Sequence, residues 1–219
     1  PVARSERFQA AGCRGLGFRP RLGLRLFGGT HRGAHPSLRA VLRPRPGEAN
    51  LRRTIVRLPR SAFLEQAHIR TICTRVQFAA DACPKGSIYG RVVAHTPLLA
   101  EPLRGPAYLR SSSNQLPDLV FDLRGLVDIE AAARIDSVRG GIRAIFGAIP
   151  DAPVSKVVVR MAGGKRGLIV NSRDLCEGRS RAAVRLDAHN GKRRRLRPVV
   201  RPAGCEKRRA ARRSGHRRG

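Results

Sequence analysis

Tryptophan is absent from this chain, and its 219 residues include two tyrosines, one methionine and seven phenylalanines. Any core must therefore be aliphatic, and no aromatic platform is at hand to hold a sugar ring or stack bases. No apolar run approaches the roughly 18 to 20 residues that a membrane helix needs. The cysteines never stand as C-x-x-C, which removes the usual zinc spacing and the redox motif. There is no G-x-S-x-G elbow, and GGKRG (163–167) lacks the spacing and hydroxyl residue of a phosphate loop, so it reads as a turn. Strand and helix signals do not alternate as βαβ units would. The chain opens on Pro1 and its one methionine is Met161. We therefore expect a processed product or the C-terminal portion of a longer protein.

What the chain has in abundance is arginine. Of its 45 basic residues only five are lysine, and the formal net charge is +30. Such a field attracts nucleic acid, anionic lipid or acidic wall polymer without choosing among them. The densest basic positions are Arg193, Arg194, Arg195 and Arg197 in KRRRLR, then Arg208, Arg209, Arg212 and Arg213 near the end. These are the candidate polyanion-binding residues. Charge alone predicts salt-sensitive, sequence-blind binding to nucleic acid in vitro.

Apolar residues recur with a period of two along most of the chain. Phe18, Pro20, Leu22, Leu24 and Leu26 fall on one face, with Arg19, Arg21, Gly23 and Arg25 on the other. Leu119, Phe121 and Leu123 repeat the pattern, followed by Ile129, Ala131, Ala133 and Ile135. Short turns rich in Gly and Pro separate about ten such segments. This predicts an all-β fold, an immunoglobulin-like or related β-sandwich. It would occupy 18–205, after a linker or end strand at 1–17 from a missing upstream region and before a disordered Arg-rich tail at 206–219.

Pro59 to Gly90 stands apart. Ser61 can cap a short helix, and Ile72, Val76 and Ala79 or Ala80 recur at helical spacing. We expect a short helical insert over 61–83, stapled by a disulfide between Cys73 and Cys83. Cys176 with Cys205 could brace the C-terminal strands, which leaves Cys13 for a partner upstream. The alternative is five reduced thiols in a cytoplasmic protein.

Candidate chemistry is sparse. His31 and His35 in HRGAH sit among glycines and Pro36, a loop rather than a metal-binding helix face. His68 reads as a surface or capping residue. Asp118, Asp122, Asp128, Glu130 and Asp136 concentrate acid, as a glycosidase needs. They lie among Arg110, Arg124, Arg134 and Arg139, so cross-strand ion pairs explain them more simply. Lys156 or Lys165 with Asn171 or Asn190 would suit an isopeptide cross-link if folding brought them together. No catalytic, cofactor or metal residue is assigned.

HIRTICTRVQFAADACPKGSIYGRV, TPLLAEPLRGPAYLRSSSNQLPDLVFDLRG, RIDSVRGGIRAIFGAIPDAPVSK and GGKRGLIVNSRDLC, between Phe18 and Cys205, resemble a family of large uncharacterised secreted proteins of actinobacteria. The resemblance implies an exported, β-rich, disulfide-bearing C-terminal domain and carries over no activity. The functional expectation is a non-enzymatic structural or interaction domain of an extracellular or cell-envelope protein. Its partners would be upstream domains of the same polypeptide, and anionic envelope polymers or a lipid surface. A basic nucleic-acid-binding protein in the cytoplasm is the alternative, and a carbohydrate-active enzyme the second.

Overall fold

A computed structural model describes residues 12–138 and 141–205. Arg139, the region 206–219 and with it Arg208, Arg209, Arg212 and Arg213 lie outside the described residues. The chain is almost entirely β, as its period-two pattern predicts. The strands are β1 (Arg21–Phe27), β2 (Ser37–Arg43), β3 (Leu51–Arg57), β4 (Ala62–Leu64) and β5 (Ile88–His95). They continue with β6 (Leu103–Arg110), β7 (Asp118–Leu123), β8 (Ile129–Val138), β9 (Gly141–Phe146) and β10 (Lys156–Met161). The last are β11 (Ile169–Asn171), β12 (Ser180–Arg181), β13 (Ala183–Ala188), β14 (Arg193–Leu196) and β15 (Val199–Pro202).

Hydrogen bonding joins these strands into one curled sheet. β12 and β13 are a single extended segment interrupted at Ala182, whose N–H donates to Pro198 O at 3.0 Å. β14 and β15 are its return. Ser180 faces Val200, Val184 faces Leu196 and Asp187 faces Arg193, in one unbroken register. His189-Asn190-Gly191-Lys192 makes the turn, with Gly191 at a φ of 83° that favours glycine.

This long hairpin closes the sheet. Its first arm pairs with β3 and its second with β1, so the order is β1, β2, β10, β5, β6, β7, β8, β9, β3, β12/β13, β14/β15 and back to β1. A ring of eleven strands is odd in number, so its pairs cannot all be antiparallel. The parallel pair is β1 with β15: Leu24 faces Val200, Arg25 faces Arg201 and Leu26 faces Pro202. Where the sequence suggests two stacked sheets, the halves do face each other as sandwich layers, and both margins are hydrogen-bonded together. One half is packed around Leu24, Leu26, Val184, Leu186 and Val200, the other around Val92, Leu103, Leu109, Leu119 and Phe121. At Gly105 a Cβ would stand 1.6 Å from Asp122 O, so β6 and β7 can approach there only through glycine.

The insert departs from its expected helix. Ala62, Phe63 and Leu64 are a strand, β4, paired with β11 and touching β9 at Gly141. Ser61 caps nothing; its Oγ lies 3.0 Å from Ser180 Oγ. The true helix, α1 (Arg75–Ala79), is one turn long. Thr74 caps it, accepting from Gln77 N, while the Gln77 side chain accepts from Thr74 N. Val76, expected on an apolar face, is 79% exposed. Phe78 instead packs edge-on against Tyr108, covering the outer face of β6.

Both cysteine pairs read from the sequence are bridged: Cys73 with Cys83 and Cys176 with Cys205. The second ties the end of β15 to the segment before β12, and so guards the closing hairpin. Its 29-residue separation makes it worth about 3 to 4 kcal/mol by loop-closure entropy. Replacing Cys176 and Cys205 together with alanine should lower unfolding free energy in urea by about that amount. An unchanged midpoint would show that closure does not depend on the staple.

Candidate apolar lumen and its basic mouth

The inner face of the ring is set by the alternation already visible in the sequence. Leu22 and Leu24 on β1, Leu38, Ala40 and Leu42 on β2, and Leu119, Phe121 and Leu123 on β7 all point inward. Opposite them stand Val157, Val159 and Met161 on β10, and Ile142, Ala144 and Phe146 on β9. Eight strands already enclose an interior that side chains can just fill. Eleven strands enclose more, and alanines and leucines without a tryptophan do not fill it. A cavity of about 740 Å³ remains. That is within the usual range for small-molecule sites.

The strands β2, β5, β7, β9 and β13 run towards one end, so the loops after them gather there. Arg45, Pro97, Leu98, Val127 and Ile149 from four of those loops border the cavity. Leu98 is 68% and Val127 48% exposed, which marks this end as an open, apolar rim. The opposite end is crossed by loops that hydrogen-bond to each other. Gly33 N donates to Asn171 O, Asn171 N to Ala34 O, Glu65 N to Leu168 O and Gly164 N to His35 O. The lumen is therefore a cup.

His35 and His68 belong to that floor. His35 Nε2 lies 3.0 Å from Glu65 Oε2, His68 Nδ1 lies 2.8 Å from Gly167 O, and the two rings are 4.4 Å apart. His31 is exposed in its loop, and its carbonyl accepts from Asn171 Nδ2. The hydrogen bond from His35 holds the Glu65 carboxyl below the usual glutamate range, despite partial burial that opposes it. The GGKRG turn, Gly164–Arg166 at its centre, lies beside this floor.

A buried polar side chain also stands in the wall. Thr54 lies 91% buried between Phe146 and Leu186, and its Oγ1 has no hydrogen-bond partner among the described residues. A buried hydroxyl without a partner is costly, about 1 to 3 kcal/mol. Its position beside the cavity makes it a ready contact for a bound polar atom.

The acidic residues take another place. Arg110 pairs with Glu130 at 2.6 Å, Arg134 with Asp136 at 2.8 Å and Arg143 with Asp136 at 2.6 Å. Arg124 holds Asp122, Asp128 and Asp81 together. Burial pushes the Asp136 carboxyl up, but hydrogen bonds from Arg143 and Arg134 outweigh it and hold the group low. These carboxylates face outward, opposite the phase of Leu119, Phe121 and Ile135, and serve as ion-pair partners. Asn171 donates to the Gly29 and His31 carbonyls, and Asn190 to those of Cys13 and Leu16. Neither amide is joined to Lys156 or Lys165.

Within KRRRLR, Arg193–Leu196 form strand β14, inside the sheet. Its register sorts the predicted arginines onto two faces. Arg194 faces Leu186 across the hairpin and shares its inward side; Arg193 and Arg195 face outward opposite Asp187 and Arg185. Arg194 and Arg197 meet Arg19, Arg21 and Arg45 around a slot of about 370 Å³ at the seam between β1 and β14. The last three were not singled out from sequence. Their signal was the proline pair: Pro20 and Pro198 flank the seam and have no N–H to donate, so pairing with β1 begins only at Leu24.

Family models, curated proteins and solved structures offer no match to this chain.

Two outcomes test these assignments. Replacing Thr54 with valine should raise the thermal midpoint, a gain of about 1 kcal/mol; a fall would mean that Oγ1 has a partner in solution. Glu65, held below its ordinary pKa, adds stability above about pH 4.3 and loses it as pH drops through the lower folded value. Glu65→Gln should flatten that acid limb of an unfolding curve measured between about pH 2 and 5, and an unaltered limb would contradict it.

Proposed function

We propose that this chain is a non-enzymatic binding domain of an exported protein, holding an apolar ligand in its lumen. The cavity of about 740 Å³, open at one end and walled by aliphatic side chains, is the observation that carries the reading. Hydrocarbon is the matching chemistry, since each methylene moved from water to such a wall contributes roughly 0.8 kcal/mol. Two disulfides suit an oxidising compartment. Loops rich in exposed apolar residues at the rim suit a domain that takes its ligand from a lipid surface or a neighbouring domain.

A second reading rests on the outer face. Arg201, Arg25, Arg39, Arg160 and Arg91 stand directly opposite one another across β15, β1, β2, β10 and β5. Like charges so placed are destabilising, and none of the five has an ion pair among the described residues. A row of guanidinium groups roughly 4.8 Å apart suits an acidic envelope polymer laid across the strands. Nucleic acid would meet the same row, with steep salt dependence.

The lumen is tested by filling it. A neutral fluorescent probe such as N-phenyl-1-naphthylamine should bind at one site per chain. Replacing Ala40 and Ala131 together with phenylalanine should weaken that binding by about tenfold or more, because the volume they take is the volume the probe needs. Unchanged affinity in a folded double variant would place the probe elsewhere and end the reading.

A further inference from the structure

The lumen and the arginine slot are contiguous. Leu22 and Arg45 border both, so a ligand seated along Leu22 has its outer end beside the slot. We propose that the ligand is an anionic amphiphile, with its hydrocarbon chain in the lumen and its acidic headgroup among Arg19, Arg45, Arg194 and Arg197. This rests on the lumen reading above and adds the chemistry of the head.

Three features of the seam support it. First, the slot exists because hydrogen bonding fails there: above Leu24 the strands part at Pro20 and Pro198, leaving a lateral opening beside the rim. Second, the opening is lined by five arginines, and none of them is ion-paired with a carboxylate among the described residues. Two carboxylates stand nearby, and neither is ion-paired with a slot arginine. Glu48 accepts the backbone N–H of Arg19, and Asp187 lies on the outer face with Arg185 and Arg193. Third, Arg194 occupies the inward phase of β14, the same side as Leu186 and Leu196. Arg194 is nevertheless exposed, so the inward side of β14 is open to solvent at this point, as a boundary where chain becomes headgroup would be. Guanidinium forks bind carboxylate and phosphate oxygens through paired hydrogen bonds, so either acid has the right chemistry.

The apolar wall sets where the tail goes, and the slot fixes which way round it lies. Few polar groups are needed for that orientation when the rest of the site is apolar. Thr54 Oγ1, deeper in the cup, offers one further hydrogen bond to an oxygen along the chain.

The test uses the whole protein stripped of lipid and the neutral probe named above. Hexadecanoate, hexadecyl phosphate and hexadecanol are compared as displacers near physiological salt. Both acids should displace the probe at about tenfold lower concentration than the alcohol. If the phosphate is the tighter of the two the head is a phosphate ester, and if the carboxylate is tighter it is a fatty acid. The double variant Arg45→Gln, Arg194→Gln should lose the preference for acid, its affinity for both acids falling by about tenfold relative to its affinity for the alcohol. Arg160→Gln, on the outer row, should keep the preference. Equal displacement by acid and alcohol in the unaltered protein overturns the proposal and leaves the lumen reading standing. Loss of the preference in Arg160→Gln to the same degree overturns it too, since general charge would then be the cause. Failure of all three to displace a probe that does bind would put the lumen reading itself in error. Should the double variant unfold, raising salt on the unaltered protein supplies the second measure: the advantage of the acids should shrink and the affinity of the alcohol should hold.

Discussion

The whole architecture depends on three residue pairs, Leu24 with Val200, Arg25 with Arg201 and Leu26 with Pro202. Every other neighbour in the ring is antiparallel and arises from the order in which the chain winds. This parallel contact joins the first strand to the last among the described residues. An open sheet leaves two rows of unpaired N–H and C=O groups and two apolar margins in water. Closure removes both and makes the inside of the sheet a single enclosed surface. The disulfide from Cys176 to Cys205 sits at this junction, where local sequence offers least support and loop-closure entropy costs most. The bridge between Cys73 and Cys83 holds the short helix over Tyr108, a smaller and more local task.

Closure also explains why composition matters so much here. A ring of this circumference needs large side chains to fill it, and the chain supplies alanine, valine and leucine. Ala40, Ala94, Ala131 and Ala144 face the lumen, each where a bulkier residue would meet its opposite number. The missing tryptophan is thus a structural feature with a consequence: the space that aromatic residues would have taken is left open. Empty apolar volume is costly, since its walls forgo contacts that packing would supply. A protein that keeps such a volume, with an open mouth and an unpartnered threonine in its wall, gains most from a ligand that fills it.

Much of this was legible in the sequence, and the limits have physical reasons. The alternation from Phe18 to Leu26 gave the inward face of β1 correctly, because strand period is local, and the arginines set among the acids gave ion pairs such as Arg134 with Asp136, two residues apart. The ring was not legible. Leu24 and Val200 are distant in the chain, and no local period says that the first and last strands meet. The insert was legible in part: Val76 and Ala79 do lie in the short helix α1 between the bridged cysteines, but Ala62 to Leu64 found strand partners in β11 and β9, where tertiary pairing overrode the expected helix. KRRRLR drew notice only as a run of basic charge, because arginine dominates it. The useful mark was Leu196 two residues after Arg194, which placed both on one side of a strand.

The arginines then fall into three groups whose roles follow from geometry rather than number. Those opposite acids, such as Arg110, Arg134 and Arg143, neutralise the outer face of β6 to β9. Those in the row from Arg201 to Arg91 face one another and leave a band of positive charge on the other half. Those at the seam stand where the sheet fails to pair. Charged side chains at an unpaired strand edge also deter pairing with another chain, and the seam arginines would do this in the empty protein. Protecting an edge, however, asks only for charge pointing outward, as Arg193 and Arg195 provide. It gives no reason for Arg194 to take the inward phase between Leu186 and Leu196 positions, or for Arg45 to border the lumen. Those two placements make sense if the edge is also a binding site, and they separate a protective charge from a recognising one.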